Sequence, residues 1–149
     1  MNIAIENIAI EPLPINAQMA QLLSGCGLPI ADLSPSAPLQ FFGYRSGSEL
    51  VGVVGLELYP PYALLRSLAV SPAYRSKGLG GALVAFAETQ AAAQDVTALF
   101  FLTTSAASFF TQLGYELVPR DTAPAAIQAT AQFSGLCPSS SSFMVKHLA

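Results

Sequence analysis

The chain has 149 residues, of which 52% are hydrophobic and only 10% are charged, and its formal net charge is −3. This length fits one domain that buries about two thirds of its unfolded surface. The few basic residues form no stripe, so nucleic acid is excluded as an expected partner. No apolar run reaches the roughly 18 residues that cross a bilayer, and the basic start of a signal peptide is missing. We therefore expect one cytoplasmic domain, residues 1–149, that contacts neither nucleic acid nor membrane.

The low charge content also bears on assembly. In a typical domain about a quarter of the residues are charged. Here too few residues are charged to cover the surface of a monomer. We expect apolar surface to pack against a second copy, which predicts a homodimer. The alternative is a surface filled by Ser, Thr, Gln and Ala.

The metal-ligating residue types are sparse. Cys26 and Cys137 lie far apart in the sequence, and His147 is the only histidine. A zinc site would be short of ligands, so no metal is expected. Both cysteines are expected to be small buried hydrophobes.

In chain order, the first predicted elements are a strand, a helix and an antiparallel meander. Isoleucines recur through residues 3–10, and Pro12 and Pro14 end this strand. Asn16 is a suitable N-cap for a helix that Gly25 ends. Three strands follow at residues 40–45, 49–59 and 63–70, joined by Ser46-Gly47-Ser48 and Pro60-Pro61.

The second half of the chain predicts a βαβ unit. Apolar residues at helical spacing from Leu79 onward mark one face of a helix that runs to about Gln94. Residues 98–103 form a continuous apolar run, as in a buried parallel strand. The later predictions are a helix over 106–113 capped by Thr104 or Ser105, a strand at 115–118, a helix over 124–133 and a strand at 143–148.

The stretch between the third meander strand and the long helix carries the chemistry. It reads Arg75-Ser76-Lys77-Gly78-Leu79-Gly80-Gly81. Glycines at a helix N-terminus let a ligand approach the free N–H groups of the first turn, where the helix dipole favours an anion. Arg75 and Lys77 add two positive charges. The stretch predicts a phosphate cradle; the alternative is an ordinary glycine-rich turn.

Two common phosphate motifs do not match this cradle. A P-loop requires Gly-Lys followed by Ser or Thr, whereas Lys77 precedes its glycine. The dinucleotide fingerprint requires a third glycine where Leu83 stands. A nucleotide-binding α/β domain is therefore disfavoured.

The cradle resembles the [Arg/Gln]-x-x-Gly-x-[Gly/Ala] signature of the GNAT acetyltransferases, through Arg75, Gly78 and Gly80. Val70 followed by Pro72 is similar to the end of that family's preceding strand. The resemblance spans residues 41–115. A second family motif is matched downstream by Thr104, Ala107, Phe109, Phe110, Gly114 and Tyr115.

This resemblance implies an α/β fold with a mixed, mainly antiparallel twisted sheet of about six or seven strands, a central βαβ unit and helices on both faces. It implies an N-acetyltransferase that uses acetyl-CoA as cosubstrate and a small-molecule amine as acceptor. Residues 75–81 would hold the pyrophosphate, and a backbone N–H near Val70 would polarise the acetyl carbonyl. The other implied cofactor-binding residues are Leu68, Ala69, Val70, Thr104, Phe109 and Phe110.

Glu57 is the predicted general base, because it is a lone carboxylate in a strand of Val, Gly and Leu. If Tyr59 and Tyr62 face each other across the turn, Glu57 lies on the same sheet face as Arg66. The alternatives for Glu57 are a salt bridge with Arg66 or a solvated edge position. Arg66 and Tyr59 are the predicted substrate-binding residues, and Arg66 would hold a carboxylate of the acceptor.

Two departures from the family pattern bear on catalysis. Thr104 stands where an Asn often binds CoA, and Phe110 stands where many members carry a tyrosine that protonates the departing thiolate. Departure would be unassisted, assisted by water, or helped by Tyr115, Tyr59 or Ser108, and Tyr115 is the predicted catalytic residue. The alternative function is an acyl-CoA-binding sensor or regulatory module that kept the cradle and lost the chemistry.

Residues 25–29 and 124–138 resemble a GNAT branch named for arsenic resistance. This resemblance implies a role in resistance to arsenic or other toxicants and does not define the acceptor.

Overall fold

A computed structural model describes residues 9–28, 30–31, 33, 38–75, 78–136 and 141–148 of the chain. The strands are β1 (Glu11–Leu13), β2 (Leu39–Ser46), β3 (Glu49–Tyr59), β4 (Tyr62–Val70), β5 (Ala98–Thr103), β6 (Glu116–Leu117) and β7 (Ser142–His147). The α-helices are α1 (Ala17–Gly25), α2 (Leu79–Ala93), α3 (Ala107–Gln112) and α4 (Ala125–Gln128). Short 3₁₀ turns at Pro72–Tyr74 and Arg120–Thr122 and a π-helical segment at Gln132–Leu136 complete the described elements.

One twisted sheet organises the molecule. In the described residues it has seven strands in the order β1-β2-β3-β4-β5-β7-β6. Only the β4–β5 pair is parallel among these, and α2 connects its two strands as the helix of a βαβ unit. The predicted mixed, mainly antiparallel sheet with a central βαβ unit is confirmed.

The predicted register of the meander is also confirmed. Tyr59 pairs with Tyr62 across the turn between β3 and β4, and Glu57 pairs with Leu64. Arg66 lies two residues beyond Leu64 and therefore shares the face that carries Glu57.

Helices cover both faces of the sheet. On one face, Leu83 of α2 packs in a core with Leu56 of β3 and Met144 of β7. The close approach of α2 requires Gly52, because a Cβ at that position would lie 2.9 Å from Cδ2 of Leu79. On the other face, α1 contributes Met19 to one cluster and α4 contributes Ile127 to another.

The N-terminal elements differ in part from the prediction. Residues 3–8 lie outside the described residues, and the strand observed there is Glu11–Leu13. It includes Pro12, which was expected to end a strand. β1 is an edge strand that pairs only with β2 in the described structure, so a proline can be accommodated. The helix that follows begins as predicted, because the Asn16 side chain accepts a hydrogen bond from Met19 N at 3.0 Å.

The predicted helix over residues 124–133 was wrong in its length. It is interrupted after Gln128, and a π-helical segment begins at Gln132. Thr130 explains the interruption, because its hydroxyl donates to Ile127 O at 2.8 Å and accepts from Phe133 N at 3.2 Å. Such local side-chain bonds compete with the helical backbone ladder.

The predicted caps of α3 were also wrong. The N-cap position is Ala106, without a side-chain cap. Instead, the hydroxyl of Thr103, the last residue of β5, accepts from Ala106 N at 2.8 Å and from Ser105 N at 3.2 Å. The capping hydroxyl thus comes from one residue before the predicted pair.

Within the described ranges, none of the helices has both the length and the apolar character needed to cross a lipid bilayer.

Candidate functional site

The parallel strands β4 and β5 diverge at their carboxyl ends. In the described residues their pairing ends at Leu65 and Phe101. Beyond this point β4 continues along β3, where Val70 pairs with Gly52, while β5 continues along β7, where Thr103 pairs with Ser142. A gap therefore opens between the two central strands of the sheet.

A β-bulge reshapes β4 beside this gap. Gly55 pairs with Arg66 and Val53 with Ala69, so one residue of β3 lies opposite two residues of β4. Ser67, the first of the two, has a φ of 57°, in the left-handed region that a non-glycine residue rarely occupies. Bulges redirect a strand and end its pairing, and here the redirected residues border the gap.

A cavity of about 860 Å³ occupies the gap. Its volume lies within the range of about 300–1,000 Å³ that small-molecule and cofactor sites occupy. It brings together most of the predicted cofactor-binding residues from three elements and the turn before α2. Those that line it are Leu68, Ala69, Val70, Arg75, Gly78, Gly80, Gly81, Thr104, Phe109 and Phe110.

The N-terminus of α2 forms one wall of the cavity. Gly78 is the N-cap, with a φ of 81° that favours glycine and no side-chain capping bond. The first helical bond runs from Ala82 N to Gly78 O at 3.1 Å, which leaves the N–H groups of the first turn available to an anion. Leu79 is 1% exposed and packs in the core, so only its backbone can serve a ligand.

Arg75 is fixed beside this N-terminus. Its Nε donates to Val70 O at 2.9 Å, and its Nη2 lies 3.5 Å from Cys26 Sγ. The guanidinium therefore stands between the end of β4 and the end of α1, with its side chain exposed. Ser76 and Lys77, the other two residues of the predicted cradle, lie outside the described residues.

The fit of the cradle to a phosphate depends on its glycines. A Cβ on Gly80 would lie 3.4 Å from Cζ of Phe109, whereas a Cβ on Gly81 would meet no atom within 4 Å. A longer side chain at Gly80 would fill the space between α2 and Phe109. The backbone, the cation and the open space together suit a phosphate-bearing ligand.

A second wall of the cavity, next to the start of α2, is aromatic. Phe110 is fully buried, stacks on Phe101 with ring centroids 3.9 Å apart, and meets Phe109 edge to face at 5.2 Å. No polar atom of Phe110 is available to give a proton to a leaving group. The wall instead suits an apolar ligand segment.

The predicted base and substrate-binding residues form a separate cluster. Arg66 Nη1 donates to Glu57 Oε1 at 3.0 Å, and the Tyr59 hydroxyl donates to Glu57 Oε2. The Glu57 side chain is 8% exposed and that of Arg66 is 0% exposed. Among the described residues, these three are absent from the cavity lining. The arrangement matches the salt-bridge alternative for Glu57.

Tyr115 lies in another buried network. Its hydroxyl donates to Glu88 Oε2 at 3.0 Å, and Lys146 Nζ donates to Glu88 Oε1 at 3.1 Å. Burial first, and then the charge and hydrogen bond of Glu88, raise the pKa of Tyr115 well above its usual range. Tyr115 is not among the described residues that line the cavity, so the structure does not bring it to the cradle.

Several residues that line the cavity are absent from the predicted site residues. Cys26 was expected to be a buried hydrophobe, but it is partly exposed and lines the cavity together with Gly27 and Leu28 at the end of α1. Ser141, just before β7, also lines it. No local signal marks these residues, because distant elements bring them to the gap. Cys137 lies outside the described residues.

The chain is similar in sequence to a known protein family. The sequence model described as "Acetyltransferase (GNAT) family" matches residues 5–115. A search of the curated proteins returns no significant match.

Several solved structures share the fold. A Klebsiella pneumoniae protein assigned as an acyl-CoA N-acyltransferase has a TM-score of 0.76 at 22% identity, over 96% of this chain and 99% of that one. A Staphylococcus aureus GNAT acetyltransferase has a TM-score of 0.71 at 17% identity, over 95% of this chain and 100% of that one.

N-acetylglutamate synthase from Neisseria gonorrhoeae, solved with coenzyme A and N-acetyl-glutamate, has a TM-score of 0.77 at 21% identity. The alignment covers 95% of this chain but only 35% of the synthase, so the similarity concerns about a third of that protein. Because the family model matches most of the sequence, and because these structures share the observed fold, the chain belongs to the GNAT acetyltransferase family.

Proposed function

We propose that the protein transfers the acetyl group of acetyl-CoA to the amine of a small molecule. The observation that supports this function is the cavity of about 860 Å³ that lies between the diverging strands and ends at the uncapped N-terminus of α2. One cavity thus offers a phosphate-binding end and an apolar channel, the two parts that a long thioester cosubstrate needs.

Different residues of the cavity would bind different parts of acetyl-CoA. The backbone N–H groups of Leu79, Gly80 and Gly81, with Arg75, would hold the pyrophosphate. Residues 68–70 of β4, which line the gap beyond the end of the β4–β5 pairing, would hold the pantetheine chain, with a backbone N–H near Val70 directed at the carbonyl oxygen. Oriented donors of this kind stabilise the negative charge that develops on the oxygen.

Transfer forms a bond between the amine nitrogen and the acetyl carbon and breaks the carbon–sulfur bond. The amine gives up one proton, and the sulfur leaves as a thiolate that takes up one proton. Glu57 is the candidate base, but Arg66 and Tyr59 occupy both of its carboxylate oxygens. A proton would therefore reach it through water. Arg66 and Tyr59 remain proposed substrate contacts.

A second function, an acyl-CoA-binding sensor, is favoured because the predicted proton donors are not available at the cavity. Phe110 offers no acid at the cavity. The Tyr115 hydroxyl donates a hydrogen bond to Glu88 and is not directed at the cavity. A cradle without an acid would still bind the cosubstrate. The sensor and the enzyme differ in turnover and agree in binding.

Two finer proposals concern biology and assembly. A role in arsenic or toxicant resistance is supported only by the sequence stretches 25–29 and 124–138, which are partly outside the described residues. A cytoplasmic location and a homodimer are also proposed, and the low charge content supports the homodimer. In the described part of the chain, Ile30 and Leu117 are the exposed large hydrophobic side chains.

The experiment that tests the proposed function is calorimetric titration of acetyl-CoA into the wild type and the Gly80→Glu variant. We expect micromolar binding by the wild type and none by the variant, since a carboxylate there opposes phosphate by charge and bulk. Ala85→Glu is the matched control, because it places the same charge at an exposed position of α2.

Binding is followed by a thiol-release assay with amino acids, polyamines and amino-bearing arsenicals. Thiol release that depends on one of these amines would establish the enzyme, and binding without release would favour the sensor. No binding by the wild type at millimolar acetyl-CoA would contradict both functions.

A further inference from the structure

Ser141 carries a buried hydroxyl that none of the described residues satisfies. The residue is 5% exposed, and its Oγ is the buried side-chain polar atom without a hydrogen-bond partner among the described residues. Ser141 is one of the residues that line the cavity between β4 and β5. Buried polar groups almost always have partners, and an exception calls for an explanation.

The position of Ser141 is well defined by its neighbours. Its carbonyl accepts a hydrogen bond from Arg120 Nη1 at 3.5 Å, and Arg120 lies over the ring of Phe133, 4.4 Å from the centroid. Phe133 in turn packs edge to face on Phe143 of β7, at 5.4 Å. Ser141 therefore belongs to the sheet face that α4 covers, the face opposite α2.

Ser141 borders the cavity from a different element than the phosphate cradle does. The cradle at Gly78 follows β4 on the α2 side of the sheet, whereas Ser141 lies on the far side of β5, next to Ser142 and its partner Thr103. A ligand with its phosphates at the cradle would extend its distal end through the gap toward Ser141. That distal end is where the acyl group and the amine meet.

We propose that the Ser141 hydroxyl is a hydrogen-bonding contact for the reacting end of the bound substrates. This inference rests on the proposed function. The hydroxyl would donate to the acetyl carbonyl oxygen or accept from an N–H of the amine, and it keeps its own proton throughout. The ligand then supplies the hydrogen-bond partner that no described residue provides.

The test compares the wild type with Ser141→Ala, and with Ser142→Ala as the matched neighbour outside the cavity lining. Five quantities are measured: the melting temperature of the free protein, the dissociation constants of acetyl-CoA and of CoA, and KM and kcat for any amine that the wild type acetylates. Ser141→Ala should melt no lower than the wild type, since it removes a hydroxyl that has no partner.

A contact to the acetyl group predicts that Ser141→Ala weakens acetyl-CoA binding by about threefold to tenfold and leaves CoA binding unchanged. A contact to the amine predicts the same factor in KM for the amine, with acetyl-CoA binding unchanged. Ser141→Thr, which keeps the hydroxyl, should restore the affected constant.

Suppose that the wild type binds acetyl-CoA and acetylates an amine. If Ser141→Ala then has the same dissociation constants, KM and kcat as the wild type, the inference is overturned and the proposed function stays intact. A wild type that does not bind acetyl-CoA would remove the proposed function, and the inference would fall with it.

Discussion

Arg66 Nη1 lies 3.0 Å from Glu57 Oε1, and both side chains are almost completely removed from solvent. The pair joins the neighbouring strands β3 and β4 of the sheet. Removing one partner of such a pair leaves an uncompensated buried charge, which costs about 3–5 kcal/mol. Glu57 therefore contributes to the stability of the fold, whether or not it also takes part in proton transfer.

We predict that Glu57→Gln lowers the free energy of unfolding by about 3 kcal/mol, measured by urea denaturation. The double variant Glu57→Leu with Arg66→Met should recover most of this loss, since well-packed apolar residues replace buried ion pairs at little cost. A single variant as stable as the wild type would contradict a buried pair. Turnover of Glu57→Gln should be compared only after its folded fraction is known.

Tyr115 and Glu88 provide a prediction about pH. Because the folded state raises the pKa of Tyr115, the phenol stays protonated where the unfolded chain would lose the proton. Stability from this group is complete below the ordinary tyrosine pKa of about 10 and is lost as pH rises above it. The slope is about 1.4 kcal/mol per pH unit for one group.

The measurement compares urea midpoints of the wild type and Tyr115→Phe between about pH 8 and pH 11. The difference between the two proteins should shrink above about pH 10, since the variant has no proton to lose. Equal slopes for both proteins would show that Tyr115 titrates normally. Turnover of Tyr115→Phe near neutral pH should stay close to the wild-type value, because the hydroxyl is engaged by Glu88.

These predictions separate what the sequence could reveal from what it could not. The meander, the βαβ unit and the glycine cradle follow from local signals: alternating apolar residues, turn residues and helical spacing. The register that joins Glu57 to Arg66 was predictable because a tight turn fixes the pairing of its two strands. The π-helical segment was not, because the hydroxyl of Thr130 changes the backbone pattern without disturbing the hydrophobic one.

The contacts around the cavity could not be predicted either, because they join residues that are far apart in the sequence. Cys26 and Arg75 are 49 residues apart, and Tyr115 and Glu88 are 27 apart. Such contacts arise when helices dock on the sheet, and a pattern within one element cannot predict them. The roles of Tyr115 and Ser141 therefore depend on tertiary packing.

Cys26 offers a chemical probe of the cavity. Its thiol is partly exposed, lines the cavity and lies 3.5 Å from Arg75 Nη2. We expect N-ethylmaleimide to modify Cys26 and CoA to slow the reaction at least severalfold, since a ligand in the cavity covers the thiol. Mass spectrometry of the labelled peptides measures the rate at Cys26 separately from that at Cys137. Gly80→Glu is the control, in which CoA should give no protection; equal rates with and without CoA in the wild type would contradict a ligand beside α1.

Phe110 allows the enzyme to be tested against the sensor by adding a group. Its ring is fully buried, lines the cavity and lies 5.2 Å from the ring of Tyr115. Phe110→Tyr adds a phenol to the cavity lining, and general acids contribute about 10²–10⁴ to a rate when they are well placed. We expect a rise in kcat of about tenfold, toward the low end of this range because the ring is not positioned to present a hydroxyl.

Acetyl-CoA affinity should be unchanged, since the ring keeps its stacking on Phe101. Phe109→Tyr is the matched control on the same wall. A lower kcat with intact acetyl-CoA binding would mean that the wild type releases its thiolate without an acid and that the added hydroxyl only disturbs the aromatic wall.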